Sequence, residues 1–195
     1  MIALKKRALA LLLDCARHYR SLTLLFADEA TVQLNPTLTR AWGLRGQQVR
    51  VRAWPGDRRK THIFGAIDVV RGRVHHRLAP TINGGHFRRF LRHLLRHCPR
   101  GCIVVVADNA GWHKGRALQP WLARHRRLKL FFLPKYSPDM NPIEPLWKRL
   151  RREGSHNHFF GALPGLKRAV GTGLRRMNRD PRAIVALGSQ YVNVH

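Results

Sequence analysis

The stretch 103-IVVVADNAGWH-113 decides how the rest of the chain is read. Ile103, Val104, Val105 and Val106 are β-branched and favour an extended backbone. A run with no polar alternation needs burial on both faces, as in the centre of a sheet covered by helices. It closes on an acid, Asp108. A second apolar run, 22-LTLLFAD-28, closes the same way on Asp28, and 128-LKLFFL-133 reads as a third buried strand. Residues 60–68 (KTHIFGAID) and 73–80 (RVHHRLAP) flank Arg71-Gly72, the pattern of a hairpin. Between 31 and 57, Pro36, Gly43, Gly46, Pro55 and Gly56 break the chain into short strands and loops. Helical spacing of apolar residues predicts helices over 2–19, 84–97, 114–125, 143–153, 162–177 and 181–188. Strands and helices interleaved in this order predict an α/β sheet with helices on both faces.

The chain has 195 residues, no internal repeat and no long linker, which fits one domain. Its charge is unusual. Lys and Arg number 37 against 10 Asp and Glu, a formal net charge of +27. A folded domain with that excess repels itself and points to a polyanionic partner, nucleic acid before a membrane surface. The apolar run near the start, Ala8–Leu13, is short, is interrupted by Asp14 and precedes no small-residue cleavage site, so it is not read as a signal peptide. No stretch approaches the roughly 18 apolar residues of a spanning helix. Cys15, Cys98 and Cys102 have no disulfide-framework spacing, which suits a reducing compartment; a cytoplasmic protein is expected. His86, His93, His97, Cys98 and Cys102 raise a zinc reading, but Phe87, Phe90, Leu91, Leu94 and Leu95 form the apolar stripe of the same helix. The histidines then continue its basic, solvent-facing side.

With ten acids in the chain, two at the carboxyl ends of its most apolar strands carry weight. If those strands are parallel neighbours, Asp28 and Asp108 project into one crevice at the sheet edge, where α/β ligands bind. Two such carboxylates repel each other unless something positive lies between them, and a hard divalent cation meets that need. Glu144 follows Asp108 with 35 residues between them, in 137-SPDMNPIEPLWKRLRRE-153. A helix, a strand and a proline-stiffened loop in that gap can return a new helix to the sheet edge. Ile143, Trp147 and Leu150 recur at helical spacing and dock that helix on the core, with Glu144, Lys148 and Arg151 on an adjacent face. A capping role is the competing reading of Glu144: Asn141 as N-cap, Pro142 at N1 and Glu144 at N3.

The segments 26-FADE-29, 108-DNAGWH-113 and 137-SPDMNPIEPLW-147 resemble the three acidic motifs of DDE transposases of the mariner-related bacterial insertion-sequence group, the six-thirty family. The resemblance runs from about residue 20 to 153. It implies a ribonuclease-H-like mixed five-stranded sheet within the integrase superfamily. Asp28, Asp108 and Glu144 are then the catalytic and metal-binding acids. It also implies two Mg²⁺ ions, with Mn²⁺ as a substitute. The implied activity is DNA end cleavage and strand transfer by two-metal phosphoryl transfer. Transposon ends and target DNA are the implied partners, held by at least a homodimer.

The expected layout is a leading helix over 1–20, a ribonuclease-H-like core over 21–153 and C-terminal helices over 154–195. Full-length relatives of this type carry an amino-terminal helix-turn-helix region, for which there is no room before Asp28. A separate N-terminal DNA-binding half or an incomplete copy is therefore expected. His113, Lys148, Arg149, Arg151 and Arg152 are candidate nucleic-acid contacts, and Arg175 and Arg176 a second basic cluster. For His113 the competing readings are orientation of a metal ligand and helix capping or packing. Glu29 should point opposite to Asp28. Asn109 lies beside the site in sequence. Asp68, which also ends an apolar run, is the rival for a triad position, and Asp139 reads as a turn residue. Trp112 and Trp147 are stacking candidates, with core packing the expected use of Trp147. A ribonuclease-H-like nuclease and an inactive DNA-binding remnant are the alternatives to a transposase.

Overall fold

The computed structural model describes residues 2–40, 42, 44–46, 50–135, 137 and 140–189. Gly43 and Asp139, read from sequence as a loop break and a turn residue, lie outside the described residues. Helix α1 (Ile2–His18) leads into strand β1 (Leu22–Gln33), and β2 (Lys60–Asp68) and β3 (Arg73–Ala79) form the hairpin. Helix α2 (Gly84–His97), strand β4 (Cys102–Ala107), helix α3 (Gln119–Arg124) and strand β5 (Leu128–Phe132) follow. Helices α4 (Glu144–Gly154), α5 (Leu163–Met177) and α6 (Pro181–Ser189) complete the order. The strands make one mixed sheet in the order β3-β2-β1-β4-β5. The β1, β4 and β5 strands are parallel, and β2 and β3 run antiparallel to their neighbours. This is the ribonuclease-H-like α/β arrangement expected from the sequence.

Side chains on a strand alternate between faces, so the apolar runs feed two cores. Leu24, Phe26, Ile63, Ile67, Val104 and Val106 face one layer, where α1, α4, α5 and α6 bring Leu9, Leu13, Trp147, Leu150, Leu166, Val170 and Ile184. Leu25, Ala27, Phe64, Ala66, Ile103 and Val105 face the other, covered by Phe87, Phe90, Leu91 and Leu94 of α2, with Trp121 and Leu122 of α3 packed alongside. Helix α2 starts where Asn83 caps it, its side chain accepting from the His86 N–H at 2.9 Å. Each fully buried Phe or Leu on its inner face contributes about 2 kcal/mol of apolar burial. No helix among the described residues is long and apolar enough to cross a membrane.

Three expectations change. Strand β1 does not stop at Asp28: it continues to Gln33 because β2 pairs with it as far as Gln33↔Lys60. Its parallel ladder with β4 ends at Phe26↔Val106, so Asp28 sits just past the point where β4 has run out, with only β2 still beside it. The helix over 114–125 is short. Two 3₁₀ turns, Gly111–His113 and Arg116–Leu118, precede α3, and Pro120 stands in its first turn, where its missing N–H is harmless. Strand β5 is an edge strand in which Leu128 alone is fully buried, with no further strand beside it among the described residues.

Candidate active site

Three chain segments meet at the carboxyl ends of β1 and β4. An open cleft of about 400 Å³ is lined by Asp28, Asp108 and Glu144, together with Asn109, Ala110, Leu133, Pro134, Lys135, Ser137 and Asn141. Among the described residues no three acid, histidine or cysteine side chains already form a closed metal-ligand group. The three acids line the same cleft without converging on a single point.

Asp28 is the most perturbed of them. Burial pushes its carboxyl up to about 7. A hydrogen bond from the Glu29 backbone and one from the Trp147 indole oppose this, while the charges of Glu29 and Glu144 add to it. The indole Nε1 donates to Asp28 Oδ2 at 2.9 Å. Trp147 is otherwise a core residue, 1% exposed, so the helix that carries Glu144 is pinned to the sheet beside Asp28. Gly65 makes this possible. It lies opposite Asp28 on β2, and a Cβ there would come within 2.3 Å of the Trp147 ring. Sequence reasoning missed Gly65, though a glycine inside the apolar strand IFGAID is the usual sign of close approach.

Glu144 is the first residue of α4, with Pro145 behind it. The capping reading holds only in part. Asn141 Oδ1 accepts from the Ile143 N–H at 3.4 Å, but the helix itself begins at Glu144 with Ile143 at the N-cap, and the Glu144 side chain faces the cleft. Asn141 is buried, with its amide donating to the Ala27 carbonyl at 3.0 Å. Asn141 thus ties the loop before α4 to β1. Lys135, a cation of the cleft wall, was also not singled out from the sequence.

Asp108 is half open to solvent but anchored on one side. Its Oδ1 accepts from the Ala110 N–H at 2.9 Å and lies 2.8 Å from His113 Nδ1. The hydrogen bond from His113 holds its carboxyl below the usual range, against a smaller opposing effect of burial. The expectation that His113 meets a phosphate is not met. Its ring is 1% exposed, lies 4.2 Å from the Phe87 ring, and has its other nitrogen 3.0 Å from Glu29 Oε1. Burial disfavours the imidazolium, but the bonds to Asp108 and Glu29 outweigh it and raise the His113 pKa to about 9. Glu29 points away from Asp28, as expected from strand alternation, and is the partner of His113.

Asp68 is no rival for the triad. It lies at the far end of the antiparallel β2, where Oδ1 accepts from the Val70 and Arg71 N–H groups and Oδ2 pairs with Arg71 at 3.2 Å. It closes the hairpin turn. Asn109 donates to the Leu133 carbonyl and accepts from Lys114, which joins the loop after β4 to the end of β5. On α4, Arg149 shares Glu153 with Arg176 of α5. Lys148, Arg151 and Arg152 have no carboxylate partner among the described residues, and Lys148 and Arg152 are exposed. Trp112 is 38% exposed beside the loop.

The donor set suits a hard divalent ion. All three acids offer carboxylate oxygens to the same cleft, and burial disfavours the charge on Asp28 unless a cation offsets it.

A family model described as DDE superfamily endonuclease matches residues 23–167. The chain is 32% identical over 146 residues to the insertion element IS630 uncharacterized 39 kDa protein of Shigella sonnei, covering 74% of this chain and 42% of that one. It is 30% identical over 100 residues to the uncharacterized protein y4pE/y4sA of Sinorhizobium fredii, covering 51% of this chain and 71% of that one. The chain thus spans less than half the length of the Shigella relative. Among solved structures, it superposes on the Mos1 transposase paired-end complex with left transposon end with a TM-score of 0.60 at 20% identity, covering 97% of this chain and 62% of that one. For the catalytic domain of Mos1 mariner transposase the TM-score is 0.54 at 17% identity, with 93% and 90% covered. The fold is shared at that level, and the cleft acids Asp28, Asp108 and Glu144 all fall inside the matched span. This chain therefore belongs to the DDE superfamily of endonucleases.

Proposed function

We propose that this chain is the catalytic domain of a DNA transposase, which cuts element ends and joins them to target DNA. The observation that carries the reading is the convergence of Asp28, Asp108 and Glu144, from two strands and a helix start, on one cleft that Lys135 also lines. Asp28, Asp108 and Glu144 hold divalent ions there, Mg²⁺ or Mn²⁺, and solved Mos1 complexes contain each of these metals. When bound, a metal pair supplies Lewis acidity to the attacking and leaving oxygens of an in-line displacement at phosphorus. The chain's own residues do the positioning. Trp147 orients Asp28, Asn141 fixes the loop that presents Glu144, and Lys135 offers positive charge to a phosphate in the cleft. Lys148, Arg151 and Arg152 extend that charge along α4 and hold the DNA backbone without reading its sequence. Water serves as nucleophile for cleavage, and a DNA 3′-hydroxyl for joining. The working partners are transposon-end and target DNA in the bacterial cytoplasm. The assembly is at least a homodimer on DNA, with sequence-specific end binding supplied by an N-terminal DNA-binding half.

The test is incubation of a labelled donor end and a target plasmid with the chain and Mg²⁺, joined to an end-binding domain. Wild type should give nicked and joined products, and Asp108→Ala neither. Cleavage without joined product would leave a nuclease. Unchanged cleavage by Asp108→Ala would refute the site.

A further inference from the structure

We infer that Glu29 and His113 are positioning residues for the metal site, a buried carboxylate–imidazole pair that holds one oxygen of Asp108 and leaves the other available to the cleft. The inference rests on the reading of Asp108 as a metal ligand and adds two residues to it.

Asp108 projects from the end of β4 with its side chain 56% exposed. A carboxylate so placed is free to rotate, and each turn away from the cleft would have to be reversed when an ion binds. The chain removes that freedom. Oδ1 receives both the Ala110 N–H and the His113 ring, while no donor reaches Oδ2 among the described residues. The carboxylate is thus held by one oxygen only.

The holder is itself held. His113 closes a 3₁₀ turn, its N–H donating to the Ala110 carbonyl at 3.0 Å, so only four residues separate it from Asp108. Its ring packs on Phe87 of α2 and is excluded from water. Both ring nitrogens face carboxylate oxygens, Asp108 Oδ1 at 2.8 Å and Glu29 Oε1 at 3.0 Å. The imidazole is thereby bracketed between two acceptors, and the contact with Glu29 fixes the ring's rotation. Glu29 is not a further ligand: its side chain is 7% exposed, points to the opposite sheet face from Asp28 and does not line the cleft. Strand β1 therefore serves the site from both faces, with Asp28 presented directly and Glu29 acting through His113 and Asp108. Partners that orient a metal ligand in this way are commonly worth 10–100-fold in metal affinity, that is, about one to two powers of ten.

The experiment titrates the full chain with Mn²⁺ alone, following the free-ion resonance signal, for wild type, Glu29→Gln, His113→Ala and Asp108→Asn. Thermal midpoints are recorded alongside. Glu29→Gln and His113→Ala should each weaken Mn²⁺ binding by about 10–100-fold. Added imidazole should restore part of the loss in His113→Ala, where it can enter the vacated pocket, and none in Glu29→Gln. Glu29→Gln keeps the shape of the side chain, so it decides the matter if His113→Ala fails to fold. Wild-type Mn²⁺ affinity in a folded Glu29→Gln or His113→Ala protein overturns the inference, even if the midpoint falls. Wild-type affinity in Asp108→Asn overturns the metal-ligand reading itself, and the inference with it.

Discussion

Replacing Asp28 by Asn should stabilise the metal-free protein while disabling the cleft, and the gain should grow with pH. The ordinary carboxyl value is 3.8, and burial pushes Asp28 up to about 7. That gap of about three units corresponds to about 4 kcal/mol at 1.36 kcal/mol per unit. The sign follows from linkage. A carboxyl whose value is raised in the folded state binds its proton more tightly there than in the unfolded chain. Its favourable contribution is complete below 3.8 and is lost as pH rises through 7. Between pH 5 and 8 the wild type should lose about 2 kcal/mol from this group, after an allowance for the cleft being open to water. Asparagine has the same shape, carries no charge and keeps an oxygen for the Trp147 indole, so it escapes that loss. Other groups titrate alike in both proteins and cancel in the difference. Urea unfolding in EDTA at the two pH values measures it. Mg²⁺ at pH 8 should then recover stability in the wild type and have little effect on Asp28→Asn. If the two proteins show the same pH dependence in EDTA, the desolvated carboxylate is not what shapes this site.

Three further outcomes test the geometry. Gly65→Ala should cost about 1–3 kcal/mol, because its new Cβ meets the Trp147 ring at 2.3 Å; displacement of α4 should reduce cleavage further than the loss of stability explains. An unchanged midpoint with wild-type cleavage would show that Trp147 has room to spare. Trp147→Phe removes the donor to Asp28 Oδ2 and should cost about 1–3 kcal/mol in thermal or urea unfolding, together with a higher Mg²⁺ requirement for cleavage. Alanine at Lys148, Arg151 and Arg152 should flatten the salt dependence of duplex binding, each lost phosphate contact lowering the slope of log K against log salt by about one. The paired Arg149, replaced in the same way, should change that slope least, since Glu153 already neutralises it.

The sequence by itself determined the fold class and the three acids. Uninterrupted β-branched runs have few places to go except the middle of a covered sheet, and an acid ending such a run is conspicuous in a chain with so few acids. The docking of α4 was also legible, since Ile143, Trp147 and Leu150 share one helix face whatever they pack against. Tertiary structure decided the connections among these parts. That β1 outruns β4 and leaves Asp28 inside a strand follows from pairing with β2, a long-range ladder that local composition does not encode. That Glu144 faces the cleft depended on the loop before its helix being tied to β1, through the Asn141 amide and the Ala27 carbonyl 114 residues away. For His113 the sequence left phosphate contact, ligand orientation and packing all open. Only the packing of α2 against the loop after β4 buries it between Glu29 and Asp108, where burial and two carboxylates together set its charge and its role.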